Sequence, residues 1–449
     1  MKKLNKDILK RLDFNQTVYY FKYILLLMCL ISTINICNNT IVRTFFKALF
    51  VFSMVLLLYI LVCKKNYFKT KNYILLCFFC LGYLLTILLN VRNHIINEIL
   101  LFGYTLMFFF VVTYFDYNCS KKSIQNEIFK FIRLIVVFSF VIALVNLVLF
   151  CLEISNTIDF TELTYFHRFY KSNQLGGVCN PNTSSMINLI SILLSLIVIV
   201  QKQGSMKWYG LNIIVQIICF SLSQSRGAWV CLITYIFIYS FFIYKNGEKC
   251  VYIQRTIRFV VLFLLCVGLS VVSRHIIYSS AKSILSADII VNQEMHRKEQ
   301  EMDDLNGFST GRSTLWKVGI DVWKTEPVLG IGYRNIDDAL KTGLSKYDYK
   351  NSAKGGLHNI YITTLVSVGL VGFGFFILFL VSICTKGYKL LKHPKISKLD
   401  KSLISFIPMI LVGDLVESRI LFGMNFVCII FWIMMGYLFY LDRKMLKHD

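Results

Sequence analysis

Long apolar runs alternate with polar segments along almost the whole chain. Twelve of the runs approach the roughly 20 residues that a helix needs to cross about 30 Å of hydrocarbon. They lie near 18–36, 44–63, 73–90, 99–115, 134–154, 184–201, 208–223, 227–244, 259–273, 358–383, 402–417 and 420–441. The pattern therefore predicts about twelve transmembrane helices.

Two polar stretches, 153–183 and 274–357, are too long to be simple turns. The second holds 12 Lys and Arg against 11 Asp and Glu, and a nearly neutral mixture of this kind is expected to fold. Within it, apolar residues recur at helical spacing from Arg312 to Lys324. This spacing predicts a helix, with Ser309 or Thr310 as its N-terminal cap.

Composition supports a membrane protein. Hydrophobic residues make up 56% of the chain, charged residues make up 16%, and the mean hydropathy is +0.61. Soluble globular proteins carry about 25% charged residues, because they have to cover their surface with polar groups. A soluble enzyme is therefore excluded. We predict an all-α polytopic membrane protein with a large, partly helical loop between helices 9 and 10.

The basic residues predict how this bundle is oriented. With the N-terminus inside, the cytoplasmic segments contain 28 Lys and Arg, whereas the outer segments other than 274–357 contain six. Cytoplasmic loops are enriched in these residues, so we predict a multi-pass protein of the cytoplasmic membrane with both termini cytoplasmic and the 274–357 loop extracytoplasmic. The net charge of +23 then reflects basic side chains beside anionic lipid of the bilayer, and no nucleic-acid partner is expected.

Three residues at the predicted outer face could carry chemistry. They are Arg226 in an S-Q-S-R-G-A turn, Arg312 at the start of the loop helix, and His358 after two glycines. Each arginine is either an ordinary interfacial or solvated side chain or a guanidinium group that grips a phosphate. His358 is either a helix cap or a general base, since imidazole is neutral near physiological pH.

Weaker candidates lie on the same predicted face. Arg168 is in the first long outer stretch, ahead of Asn180-Pro181-Asn182, and Asp414 and Glu417 lie near the predicted end of the eleventh helix. The two carboxylates are expected to pair with arginines and fix helix packing, because buried charges are usually paired. The sequence has no D-x-D, H-E-x-x-H or Walker motif, so neither a metal nor a cofactor is expected.

The order of these motifs closely resembles the bacterial O-antigen ligase and O-antigen or capsular polysaccharide polymerase superfamily. S-Q-S-R-G-A precedes a large outer loop that contains G-R-S-T-L-W and E-P-V-L-G-I-G-Y, and L-H-N-I-Y begins the next helix. The resemblance divides the chain into N-terminal transmembrane helices (1–165), a ligase/polymerase-like transmembrane domain (166–441) that includes the loop 274–357, and a cytoplasmic tail (442–449).

The resemblance implies a metal-independent, inverting glycosyltransferase whose donor is a glycan on undecaprenyl pyrophosphate. It associates Arg226 and Arg312 with the donor pyrophosphate, places Arg168 on the same donor side, and associates His358 with activation of the acceptor hydroxyl. Three further residues are assigned to acceptor contacts or to support of the site: Glu417, Asn359 and Tyr333. Arginines stabilise a leaving pyrophosphate without a metal, and a poorly nucleophilic hydroxyl benefits from a positioned base.

Polymerase activity is the favoured prediction, with lipid-linked repeat units as both donor and acceptor of a capsular, O-antigen or exopolysaccharide chain. A ligase, which moves the glycan to lipid A core, a protein or the cell wall, stays open as the alternative. A flippase for lipid-linked oligosaccharide is a third hypothesis, disfavoured because the candidate residues cluster at one face. A chain-length regulator and a separate flippase are the protein partners that a polymerase would need.

Overall fold

A computed structural model of the protein describes residues 14–64, 67–68, 70–90, 93–151, 167–170, 174–223, 225–244, 251–284, 312–344 and 356–445. The helices that precede the large loop are α1 (Phe14–Ile31), α2 (Thr40–Cys63), α3 (Lys71–Leu89), α4 (Ile95–Leu106), α5 (Lys121–Cys151), α6 (Pro181–Val200), α7 (Met206–Ser223), α8 (Arg226–Ile238) and α9 (Val251–Ile284). The loop contains α10 (Arg312–Thr325) and α11 (Ile336–Leu344), and the chain continues with α12 (Ile360–Lys392), α13 (Lys398–Ile404), α14 (Phe406–Gly413) and α15 (Phe426–Met445). Between α5 and α6, two short strands, β1 (His167–Tyr170) and β2 (Gln174–Gly177), pair in antiparallel fashion.

Eleven helices in the described ranges are long and apolar enough to cross a membrane, namely α1 to α9, α12 and α15. Two of them, α4 and α8, are extended by π-helical turns at Met107–Val112 and Tyr239–Ile243. The predicted all-α polytopic membrane protein is thus confirmed, whereas its orientation and its division at residue 165 stay predictions. Helix α15 lies at the centre of the bundle, since 89% of the residues in its apolar window are buried. Helix α9 lies at the periphery, since none of the residues in its apolar window is buried.

The predicted eleventh helix, 402–417, is not continuous. It consists of α13 and α14, which meet at a turn at Ser405. Pro408 has no N–H group, so the carbonyl of Ile404 cannot receive its helical hydrogen bond. The predicted helix 420–441 is also wrong at its start, because α15 begins only at Phe426.

The chain between α14 and α15, residues 414–425, is non-helical but well supported. One carboxylate oxygen of the fully buried Asp414 accepts hydrogen bonds from the amides of Arg419 (3.1 Å) and Ile420 (3.2 Å). The indole N–H of Trp432 donates to the carbonyl of Ile420 at 2.9 Å. Irregular backbone is tolerated at the level of a membrane only when its polar groups find such partners, so this segment is held in one conformation.

The predicted loop helix is confirmed as α10, which ends at Thr325. Its expected caps, Ser309 and Thr310, lie outside the described residues. The glycines of the following turn, Gly330 and Gly332, both have a positive φ, 72° and 82°.

This turn is docked into a break in α12 at Gly369, where φ is 60° and ψ is −168°. The amides of residues 370–371 donate to the carbonyls of 327–328 instead of continuing the helix. The carbonyls of 366–367, which the break leaves without helical partners, accept from the amides of 331–332. All four N···O distances lie between 2.9 and 3.2 Å. The loop therefore completes the hydrogen bonding of a membrane helix and is rigidly attached to it.

Replacing the glycine at this break should destabilise the protein. We expect Gly369→Ala to cost at least about 1–3 kcal/mol, because alanine disfavours this backbone conformation and its Cβ would lie 2.3 Å from the carbonyl oxygen of Val328. Gly374→Ala on the same helix is the matched control, since nothing lies within 4 Å of a Cβ there. Thermal unfolding of the purified proteins measures both, and equal melting temperatures would contradict the docked loop.

Candidate active site

A buried carboxylate ties the turn before α11 to the N-terminal helices. Glu98 on α4 is fully buried and accepts hydrogen bonds from the amides of Tyr333 (2.7 Å) and Arg334 (2.9 Å). The hydroxyl of Tyr83 on α3 donates to the same carboxylate at 2.8 Å. A buried carboxylate needs several donors, so Glu98 fixes this turn. No motif identified Glu98, although a lone acidic residue at the edge of an apolar run was an available signal.

Helix α10 lies against the segment that re-enters the membrane. The indole N–H of Trp316 donates to the carbonyl of Leu357 at 2.9 Å. A Cβ at Gly319 would lie 2.6 Å from the side chain of Leu357, so a glycine is required for this close approach. The contact brings Arg312, at the start of α10, towards His358.

His358 occupies a turn directly before α12. Its φ is 46°, an uncommon conformation for a residue with a side chain, and it follows Gly356 with φ 70°. The cap of α12 is Asn359, whose side-chain oxygen accepts from the amides of Tyr361 (3.0 Å) and Ile362 (3.1 Å). The imidazole of His358 is therefore not the helix cap, and it is one-third exposed.

The carboxylate of Glu417 lies at the centre of the site. One oxygen is 3.3 Å from Nδ1 of His358, and the other accepts from Arg312 at 3.0 Å and from the side-chain amide of Asn182 at 3.3 Å. Arg312 also donates to the carbonyl of Val416. The structure thus brings together Arg312 and His358, two of the three main candidates, and places Glu417, a weaker candidate, between them.

Glu417 is ionised. Burial raises its pKa, but the hydrogen bond with His358 and the positive charges of Arg419 and Arg312 outweigh burial and lower the pKa from 4.5 to about 2. An ionised carboxylate only accepts hydrogen bonds, so Nδ1 of His358 is the donor in their contact. In the tautomer that this contact selects, the lone pair is on Nε2, the nitrogen that can act as a base.

The lowered pKa predicts that the protein loses stability in acid. The contribution of Glu417 is complete above about pH 4.5 and is lost as the pH falls towards 2, because the unfolded chain then binds a proton that the folded site resists. A shift of this size corresponds to about 3 kcal/mol. We expect the melting temperature of the wild type to fall more between pH 5 and pH 3 than that of Glu417→Gln, as measured by thermal unfolding. If the melting temperatures of the two proteins fell equally over this pH range, the lowered pKa of Glu417 would be contradicted.

Arg419 is a further cation beside Glu417, and the sequence indicated it only as one of the arginines that could pair with Asp414 or Glu417 and fix helix packing. Its side chain is 11% exposed, and one terminal nitrogen lies 3.7 Å from the carboxylate of Glu417. Neither terminal nitrogen has a hydrogen-bond partner in the part of the chain that is described. The guanidinium lies beside two glycines, since a Cβ at Gly227 or Gly413 would be in ordinary van der Waals contact with it at 3.8 Å. Buried donors without a protein partner are rare, and a bound water, a bound ion or a role in function accounts for such groups.

The structure shows less about the positions of Arg226 and Arg168 relative to the site. Arg226 is the first residue of α8 and is exposed. The next residue, Gly227, packs on the 414–425 segment, with a Cβ position 3.5 Å from Val416 and 3.8 Å from Glu417. The backbone of Arg226 is therefore beside the site. Arg168 lies on β1, and its side chain is outside the described part of the structure.

A cavity of about 180 Å³ opens beside His358. The residues that line it include Tyr333, Arg334, Asp337, His358, Thr363 and Glu417. The ring of Tyr333 stacks on Phe422, with centroids 5.0 Å apart and an interplanar angle of 15°. Within the described residues, no group of three or more His, Cys, Asp or Glu side chains could hold a metal ion.

The matched protein family agrees with the motifs. A family model described as O-antigen ligase matches residues 211–377, a range that includes Arg226, Arg312 and His358. No curated protein matches the chain. The resemblance to the O-antigen ligase and polymerase superfamily is thus confirmed, and the match supports a membrane glycosyltransferase of this type. Arg168 and Glu417 lie outside the matched range, and the roles of all the candidate residues stay predictions.

Proposed function

We propose that this protein polymerises oligosaccharide repeat units carried on undecaprenyl pyrophosphate, at the outer face of the cytoplasmic membrane. The observation that carries the proposal is the contact of one ionised carboxylate, Glu417, with both His358 and Arg312. This contact holds a candidate base and a candidate anion-binding group within reach of one substrate. Such an arrangement suits a reaction in which a hydroxyl loses a proton while a pyrophosphate leaves.

His358 acts as the general base in this proposal. Glu417 receives the Nδ1 proton in a hydrogen bond and so directs Nε2 towards the cavity. When Nε2 takes the hydroxyl proton, the resulting imidazolium is stabilised by the adjacent carboxylate. The same division of roles between histidine and a carboxylate operates in other enzymes that activate hydroxyl groups.

The arginines receive the leaving group. Arg312 is held by Glu417 and the carbonyl of Val416 in the present structure, so its guanidinium is already oriented. A pyrophosphate carries more negative charge than a carboxylate and competes for Arg312. Arg226, whose backbone lies beside the site at the start of α8, would supply a second guanidinium group. Glu417 then keeps a cationic partner in Arg419, 3.7 Å away.

The proposed step balances without a cofactor. The acceptor oxygen attacks the anomeric carbon from the side opposite the pyrophosphate, and a glycosidic C–O bond forms with inversion. The bond between the anomeric carbon and the pyrophosphate oxygen breaks, and its electron pair stays on the leaving undecaprenyl pyrophosphate. The hydroxyl proton moves to His358 and from there to solvent.

A ligase is the second candidate function, because the matching family model is described as O-antigen ligase. The two activities share the donor chemistry and differ in the acceptor. The test incubates the purified protein with a synthetic undecaprenyl-pyrophosphate-linked repeat unit and EDTA. A ladder of longer products supports polymerisation, and product only after addition of a second acceptor supports ligation. Movement of the lipid across vesicles without bond formation would overturn both.

A further inference from the structure

One wall of the cavity is not used by the proposed mechanism. It is formed by Tyr333 and Arg334, on the turn that leads into α11, and by Asp337, in the first turn of α11. Arg334 is exposed, and among the described residues its guanidinium has no hydrogen bond and no ion pair. Its charge acts on Asp337 and Tyr333 without a direct contact, so this wall presents a cation that an added anion could contact.

The carboxylates near Arg334 are engaged elsewhere or held apart from it. Glu417 already contacts Arg312, His358 and Asn182. Asp337 lies one helical turn after Arg334, and no ion pair joins the two within the described ranges. Burial raises the pKa of Asp337, and the charges of Lys341 and Arg334 oppose this only in part. Among the described residues that line the cavity, Arg334 is thus a cation available to an added anion.

The position of Arg334 is preorganised. Its amide donates to the buried Glu98, and the ring of the preceding Tyr333 stacks on Phe422. The turn just before it is bonded into the break of α12, and the side-chain amide of Asn90 donates to the carbonyl of Gly330 at 3.0 Å. A group whose backbone is fixed loses less conformational entropy when it binds a ligand.

The cavity lies on the acceptor side of the site. Arg312 and Asn182 approach one oxygen of Glu417, whereas His358 contacts the other oxygen. His358 and Glu417 line the cavity, while Arg312, Arg226 and Asn182 do not. A ligand in the cavity would therefore meet the base without displacing the arginines proposed for the pyrophosphate.

We infer that Arg334 recognises an anionic substituent, a carboxylate or a phosphate ester, on the acceptor sugar whose hydroxyl faces His358. The inference rests on the proposed function, because it names the substrate class of the same site. Asp337 and Thr363, which also line the cavity, are placed to hydrogen-bond the sugar hydroxyls. The protein would accordingly extend acidic glycans and discriminate against neutral ones.

Binding measurements on the full-length protein in detergent test this inference. The acceptor probes are a disaccharide that ends in glucuronic acid, its carboxyl-reduced counterpart, and the same disaccharide ending in glucose 6-phosphate. Farnesyl pyrophosphate is the donor probe. One variant is Arg334→Gln. The matched control is Lys341→Gln, which also removes one positive charge, from the helix α11 that follows the turn of Arg334, and whose side chain is 67% exposed.

We expect the wild type to bind at least one acidic disaccharide about tenfold more tightly than the reduced one, the effect of one charge-assisted hydrogen bond. Arg334→Gln should remove this preference and leave binding of farnesyl pyrophosphate unchanged, and Lys341→Gln should change neither. Equal binding of acidic and neutral probes by the wild type would overturn the inference. Weaker binding of farnesyl pyrophosphate by Arg334→Gln would also overturn it and assign Arg334 to the donor.

Failure of the proposed function gives a different result. If farnesyl pyrophosphate does not bind the wild type, or binds Arg312→Gln equally well, the proposed donor site is wrong, independently of how the disaccharides bind. If the wild type binds acidic disaccharides more tightly through Arg334 but does not bind farnesyl pyrophosphate, the protein has a site for acidic sugars and an activity other than the proposed one.

Discussion

His358→Gln should lower chain extension by about 10²–10⁴-fold, the usual contribution of a positioned general base. The amide nitrogen of glutamine falls near the position of Nε2 and not of Nδ1, so the hydrogen bond to Glu417 is lost. Glu417 keeps Arg312 and Arg419 as cationic partners, so the fold and these ion pairs should persist. The measurement is the initial rate of product formation from a synthetic lipid-pyrophosphate repeat unit, with the melting temperature recorded for the same preparation.

The control for this variant is His393→Gln. His393 lies at the other end of the 33-residue helix α12, roughly 50 Å away at 1.5 Å per residue, so the rate should not change. If folded His358→Gln extended chains at the wild-type rate, His358 would not be the base, and another group would have to accept the proton of the acceptor hydroxyl.

Arg312→Gln should lower the rate of extension by about 10²–10³-fold, the loss seen when one preorganised group that stabilises developing negative charge is removed. Arg312 also pairs with the buried Glu417, so the single variant is expected to lose stability, because a buried carboxylate loses one of its cations. A lower rate alone would therefore not separate catalysis from folding.

The double variant Arg312→Gln with Glu417→Gln, compared with Glu417→Gln alone, separates the two effects. Neither protein has a buried carboxylate that lacks one of its cations, and both lack the carboxylate that holds His358 and pairs with Arg419. The rate of the double variant should be the lower of the two, because a neutral amide stabilises a leaving pyrophosphate poorly. Equal rates would show that Arg312 has only a structural role. Arg312→Lys is a further comparison, since lysine keeps the charge but loses the paired geometry.

Part of the candidate site could be predicted from local sequence patterns. The motifs identified Arg312 and His358, and the spacing of apolar residues predicted α10 to within one residue of its end. Glu417 received only a weak assignment, because a carboxylate beside an arginine at a helix end is as typical of packing as of function. Its contacts come from segments that are 59 to 235 residues away in the chain, and no local pattern encodes them.

The contribution of the N-terminal helices to the site could not be predicted from local sequence patterns either. Their sequence contributed only hydropathy, yet Glu98 fixes the turn that carries Arg334 across 236 residues of sequence. A single acidic residue near an apolar run can be a snorkelling side chain or a buried acceptor. Only the packing of the loop on α3 and α4 decides between them.

The sequence by itself determined that this is an all-α membrane protein with a folded loop, because hydropathy and helical periodicity depend only on residues that are near one another in the chain. It also determined the protein's resemblance to a family, because the order of the motifs along the chain can be compared without knowing any distance in the structure. Only the tertiary structure decided that α12 is broken to receive the loop, that the eleventh helix is divided, and that one carboxylate joins a histidine to an arginine. Those features depend on hydrogen bonds and ion pairs between segments far apart in the chain, and their partners are chosen by packing.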